Sequence, residues 1–124
     1  MKPNWIAIGC ASGALAVALG AFGAHALKER VAAEDLEIWR TAVHYQALHA
    51  LAAILFGIFQ EHRRVTSAPG WCFVAGTAIF SGTLYAIVLG GPRALGAVTP
   101  VGGVLMIAGW IVFAVQALRV KAAA

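Results

Sequence analysis

Apolar positions in this chain come in long unbroken runs rather than alternating with polar ones. Four such runs stand out, at Trp5–Leu27, Trp39–Phe59, Gly70–Leu89 and Thr99–Leu118. Each is close to the ~20 residues that a helix needs to cross a ~30 Å hydrocarbon layer. The intervening stretches KERVAAEDLE, EHRRVTSAP and GGPRALGAV are short, charged or rich in Gly and Pro. The pattern predicts an all-α integral membrane four-helix bundle, with helices at about 5–27, 34–60, 70–90 and 99–118. Residues 1–124 then form a single transmembrane domain.

Local signals sharpen the ends of these elements. Lys28 and Arg30 follow the first run, and Glu34, Asp35 and Glu37 open the next. Cations at a helix C-terminus and anions at an N-terminus suit the helix dipole, so this order predicts a tight hairpin. Pro69-Gly70 punctuates the second connection. Thr99 before Pro100 predicts an N-cap followed by a proline in the first turn, where its missing N–H costs nothing. The first run spans about 23 residues, longer than the 7–15 of a signal-peptide core, so it is read as a retained span despite an AHA tripeptide near its end.

Small residues mark packing faces. Gly9, Gly13, Ala16, Gly20 and Ala24 recur at steps of three and four along the first helix and include a GxxxG pair. Such a stripe lets two backbones approach closely. Gly102, Gly103 and Gly109 predict close contact on the fourth helix, and Trp110 beside them needs an acceptor for its indole N–H. Trp5 is placed as an interfacial anchor.

Composition excludes several classes. Of 124 residues, 61% are hydrophobic and 11% charged, far too little polar surface for a soluble domain of this size. The net charge is +4, yet the cations gather at the ends of the runs, as in membrane proteins, and do not interleave with aromatics as a nucleic-acid groove requires. Nucleic acid is therefore not expected as a partner; the lipid bilayer is, with a second copy or another membrane protein as the candidate protein partner. Cys10 and Cys72 lack metal spacing and read as packing thiols. No metal, cofactor or catalytic group is assigned.

With four spans, both termini and the middle loop share a side. That side holds Lys2, Arg63, Arg64, Arg119 and Lys121; the other holds Lys28, Arg30, Arg40 and Arg93. The excess of one, with Arg63 and Arg64 directly flanking spans, places both termini in the cytoplasm. Depth then follows from position. Thr41, Tyr45, Gln46 and His49 share a face of the second helix, while His44 points about 100° from Tyr45. His25 lies near the end of the first helix, Ser81, Thr83 and Tyr85 run down the third, and Thr99 opens the fourth. These groups fall in the non-cytoplasmic half. Because an unpaired polar group in hydrocarbon is costly, they are expected to converge on a polar pocket opening outward, lined by His25, Thr41, Tyr45, Gln46, His49, Ser81, Thr83 and Tyr85. Interhelical fastening, worth about 0.6 kcal/mol per bond on average, is the first reading of these groups, and a ligand or proton role the second.

The motifs GAFGAHALK at 20–28, TAVHYQALHALA at 41–52, FSGTLY at 80–85 and TPVGGVLMIAGW at 99–110 resemble the YgdD-like inner-membrane family, which has relatives in eukaryotic mitochondria. The likeness is collinear over nearly the whole chain. It implies a four-span protein of the bacterial inner membrane and carries no activity, substrate or cofactor with it. The leading expectation is a non-enzymatic accessory, assembly or structural membrane protein. The alternative is a small transporter or proton-linked carrier using His25, Tyr45 and His49. A lipid- or quinone-directed enzyme ranks last, since no nucleophile, carboxylate pair or full metal set is evident.

Overall fold

The computed structural model describes residues 2–123, and every regular element in them is helical. Helix α1 spans Trp5–Phe22 and continues as a π-helical turn over Gly23–Leu27. Helix α2 spans Ala33–Glu61, α3 Ala68–Val88 and α4 Thr99–Ala122, with a short 3₁₀ turn at Arg93–Ala97. All four long helices have the length and apolar composition to cross a membrane. The four-helix membrane architecture is as the hydrophobic runs predict.

Packing is sequential: α1 lies on α2, α2 on α3 and α3 on α4. α2 is the most enclosed helix, and its buried positions Trp39, Ala42, Gln46, His49, Ala53, Phe56 and Gln60 advance by threes and fours along one seam. Core residues gather at both ends. At the termini end, Trp5, Ala52, Phe56 and Phe73 are buried together; at the other, Leu27, Trp39 and Val88.

Each end is built on a tryptophan laid against glycine. A Cβ on Gly23 would stand 2.6 Å from the Trp39 indole, and one on Gly70 would stand 2.3 Å from the Trp5 ring. Only glycine admits either ring. Trp39 also donates its Nε1–H to the Leu19 carbonyl at 2.8 Å, tying α2 to α1. Trp5 is thus a buried plug rather than the expected interfacial anchor. It meets Trp71 edge-on, and the exposed Trp71 takes the outer position.

The glycine faces divide on inspection of their neighbours. Gly9 packs on the Ala50 carbonyl, Gly102 on Gly76 and Phe80, and Gly109 on Phe73 and Cys72, each too close for a Cβ without movement. Gly13, Gly20 and Gly103 make only ordinary contacts. Ala24 is exposed, a correction to the stripe: Gly23, one residue earlier, takes the inward position against Trp39. The tight positions Gly23, Gly57, Gly70 and Gly76 went unmarked by small-residue spacing on the first and fourth helices alone. The close partner of α1 is α2 of the same chain. Cys10 is exposed on α1, so it is no packing thiol, whereas the Cys72 Cβ lies against Gly109.

Helix starts bring two further corrections. Pro69 does not end a loop; it sits buried in the first turn of α3, where a proline costs no backbone bond. Thr99 is not the N-cap of α4. Val98 holds that position, and the Thr99 hydroxyl bonds back to the Leu95 carbonyl at 3.2 Å and to Thr83 at 2.7 Å.

The α3–α4 contact is backbone on backbone, since a Cβ on Gly102 would lie 2.6 Å from the Gly76 carbonyl oxygen. Gly102→Ala is expected to destabilise the fold by about 1–3 kcal/mol through overpacking. Gly82→Ala, with nothing within 4 Å, should leave it unchanged. Reversible unfolding in mixed micelles measures both.

Candidate functional site

The hydrophilic groups inside the spans are tied up in separate hydrogen-bonded clusters, and four of the expected pocket residues, Gln46, His49, Ser81 and Tyr85, line one cleft. The first cluster is centred on Gln46, which is buried on the inward seam of α2. Its Nε2 donates to the Ser12 carbonyl on α1 at 3.0 Å, and its Oε1 accepts from the Tyr85 hydroxyl on α3 at 2.7 Å. One side chain therefore fastens three helices. Beside it, Ser81 donates to the Ala42 carbonyl at 2.7 Å, a second α3–α2 tie that is fully buried.

The second cluster is His49 with Trp110. Nδ1 of His49 lies 2.8 Å from the Tyr45 carbonyl, and Nε2 lies 3.2 Å from the Trp110 Nε1. The indole N–H can only donate, so Nε2 is the acceptor and the ring proton sits on Nδ1, facing the Tyr45 carbonyl. Both ring nitrogens are committed. A proton added at Nε2 would displace Trp110, and no unengaged nitrogen is left for relay. Phe73 packs against both rings. Trp110 thus finds the acceptor its sequence context demanded, although the ring itself is 40% exposed at the edge of α4. This pair is a hydrogen-bonded α2–α4 link, beside the packing of Phe113 on Phe56 and Phe59.

The third cluster is Thr83 with Thr99, joining α3 to α4 through a 2.7 Å hydroxyl pair. The Thr83 hydroxyl also reaches the Ile79 and Phe80 carbonyls of its own helix at 2.7 and 3.0 Å.

Three of the expected pocket residues do not take part. His25 is exposed: two residues beyond the inward Gly23, it falls on the opposite side of the helix. Thr41 is exposed and bonds the Glu37 carbonyl of its own helix at 2.9 Å. Tyr45 is 38% exposed, its ring laid against Phe80 and stacked beside His49. The cause is a rotation of the α2 face. Its seam is centred on Ala42, Gln46 and His49, which turns Thr41 and Tyr45 onto the flank toward lipid. The spacing of Ala42, Gln46, His49 and Ala53, continued from Trp39, was the available signal. His44 points outward as its angle predicts.

A cavity is present, but its opening is sideways. A half-open cleft of about 410 Å³ runs between α1 and α3 over the seam of α2. Ile8, Leu15 and Leu19 form one wall and Val74, Ala78 and Gly82 the other. Gln46, His49, Thr77, Ser81 and Tyr85 lie along its floor. The lining comes from mid-helix residues of α1 and α3, which pack on α2 and not on each other, so the cleft lies along the length of the spans rather than at their loop end. No group of three or more His, Cys, Asp or Glu that could hold a metal occurs among the described residues.

Comparison with known proteins places the chain. Residues 19–103 match the family model described as "Protein of unknown function (DUF423)". The chain is 42% identical to the inner membrane protein YgdD of Escherichia coli K12 over 113 residues, covering 89% of this chain and 86% of that one. It is 39% identical to the membrane protein YwdK of Bacillus subtilis, covering 93% and 96%, and 37% identical to a membrane protein of Staphylococcus aureus, covering 93% and 95%. All three relatives carry the family label UPF0382. No solved structure matches.

If the polar groups are fasteners, their energies should rank by how many partners each loses. Gln46→Leu strands the Tyr85 hydroxyl and frees the Ser12 carbonyl, and is expected to cost roughly 1–3 kcal/mol. Tyr85→Phe removes one bond and should cost about 0.6 kcal/mol, as such bonds average in membranes. The double variant should cost less than the sum, a coupling that a double-mutant cycle reads directly.

Proposed function

We propose, for a chain that belongs to the DUF423 family of membrane proteins, a non-enzymatic accessory role in the bacterial inner membrane, in which the α1–α3 cleft receives a helix of another membrane protein. The observation that carries this reading is the cleft itself: it runs between the middles of two apolar spans and is walled by aliphatic side chains. A partner helix entering it would meet apolar side chains, with the polar floor already engaged within the chain.

The neighbouring surface of α1 supports the same reading. Ala7, Ala11, Ala14, Ala18 and Ala21 are all exposed and alternate at steps of four and three. Small residues at that spacing permit close helix approach. The glycine face of α1 is consumed inside the chain by α2. The alanine face is what remains outward.

The geometry weighs against a proton-linked carrier. Of the three residues such a carrier would use, His25 and Tyr45 face outward, and both nitrogens of His49 are committed.

We infer that both termini are cytoplasmic, a reading supported by the one-cation excess at the termini end and by Arg63 and Arg64 flanking spans directly. At the loop end, Arg40 pairs with Glu37 and Arg93 with Asp35. The five cations at the termini end have no ion-pair partner among the described residues.

A photocrosslinking amino acid at Leu15 or Val74, at native expression, should give a discrete adduct with a different membrane protein. The same probe at Val104, exposed on the far face of α4, should not. Adducts with lipid alone from all three positions would overturn the reading. The orientation is tested separately by a reporter fused after Ala124, which should be active only as a cytoplasmic fusion.

A further inference from the structure

The termini end of the molecule carries a second cleft that the helix-receiving reading does not use. It lies between the α2–α3 connection and the last turns of α4, with a volume of about 650 Å³. Its lining has two chemistries. Lys2, Arg64 and Arg119 supply three cations from three separate parts of the chain. Val112, Val115 and Val65 supply aliphatic surface.

These two chemistries are ordered by depth. Arg119 lies in the last turns of α4, where the helix leaves the hydrocarbon layer. Val112 is seven residues earlier, ~10 Å deeper along the axis. The cations therefore sit at headgroup level and the valines beneath them, at the level of the first acyl carbons. The wall is held in place by Gln116, whose Nε2 donates to the Thr66 hydroxyl at 2.7 Å and pins the connection to α4. On the other side, Gln60 is buried and donates to the Val65 carbonyl at 3.2 Å and to Ser67 at 3.1 Å, which fixes the connection onto α2. The site is thus braced from both sides and is not a loose loop with charges on it.

None of the three cations has an ion-pair partner among the described residues. Glu61, the one acidic side chain of this end, shares a neighbouring groove with Lys2 but does not line the cleft. Three cations line one cleft with no acidic side chain among its lining residues, a lining that suits an anion. A soluble anion would use the rim and leave the aliphatic floor idle. An amphiphile with a phosphate above and a chain below uses both, and basic pockets between spans at the membrane surface suit such headgroups.

The geometry points to this cleft as a specific site for one anionic phospholipid, its phosphodiester held by Lys2, Arg64 and Arg119 and one acyl chain lying along Val112 and Val115. The assignment does not depend on which protein enters the α1–α3 cleft, nor on which side of the membrane the termini face.

The test uses the full chain in micelles of a neutral detergent. Thermal unfolding is followed with added phosphatidylglycerol, with phosphatidylcholine of the same chains, and with inorganic phosphate. Native mass spectrometry counts retained lipid. Wild type is expected to gain at least 4 °C from phosphatidylglycerol over phosphatidylcholine, to gain nothing from inorganic phosphate, and to keep one phosphatidylglycerol per chain. Lys2→Gln/Arg64→Gln/Arg119→Gln should lose both the shift and the adduct. Arg30→Gln/Arg40→Gln/Arg93→Gln, at the other end, should keep both. Equal stabilisation by the two lipids, an adduct that survives the triple substitution at the cleft, or a shift reproduced by phosphate would each overturn the assignment. Because the exposed cleft substitutions could alter folding as such, the lipid adduct count at low temperature decides the matter independently of the melting point.

Discussion

A hydrocarbon layer offers no hydrogen-bond partner, and the rest of this structure depends on how the chain meets that constraint. The Gln46 amide is the clearest case. It is buried at mid-span, and both its ends find partners on other helices, the Ser12 carbonyl on α1 and the Tyr85 hydroxyl on α3. An amide left unpaired there would cost several kcal/mol, whereas each bond made contributes only a fraction of that net. The asymmetry matters more than the gain. A register in which Gln46 met lipid is excluded by its cost, so the amide selects one packing of α1, α2 and α3 from the many that aliphatic contacts alone would permit.

Glycine provides the closeness this fastening needs. A side-chain amide reaches a neighbouring backbone carbonyl only if the helices approach closely, and Gly9 on Ala50 brings α1 and α2 to that distance. Gly76 and Gly102 do the same for α3 and α4, where the Thr83–Thr99 pair and the Thr77 hydroxyl near the Met106 sulfur form the ties. The two tryptophan-on-glycine contacts then fix the ends. Short-range packing, rather than a hydrophobic effect between helices, holds the bundle, since lipid tails are as apolar as leucine.

Much of this was legible in the sequence, and what was not has identifiable causes. The four spans follow from run length, because helix length and bilayer thickness are tied by the rise per residue. Gln46, His49, Ser81 and Tyr85 were rightly marked as inward-facing. Thr41 and Tyr45 were misplaced because a polar face on an apolar helix can be centred in more than one way. A threonine satisfies its hydroxyl on its own helix, and a tyrosine can lie along a flank, so neither needs an inward position. An amide has two ends to satisfy and less freedom. Depth alone assigns His25 to the pocket, but its angle on the helix, opposite the inward Gly23, turns it out. The tight glycines of α3 escaped notice because Gly70 and Gly76 stand six apart, off the three-and-four spacing that marks a stripe. Each is required by a single large neighbour or one backbone contact rather than by a repeating face.

The division of polar groups into separate fasteners also decides what the chain presents outward. Had His25, Tyr45 and His49 converged with Ser81 and Tyr85, the centre of the bundle would have been a hydrated cavity. Instead each cluster is spent on a particular helix pair: Gln46 on α1 and α3, His49 on α4, Thr83 on Thr99. A bundle whose interior polarity is consumed in this way keeps its remaining recognition chemistry at its edges. One edge is the aliphatic cleft between α1 and α3, which complements apolar surface. The other is the termini end, where cations outnumber their acidic neighbours and sit above a valine wall. The two lie at different depths and differ in character, so each can be occupied without competing with the other.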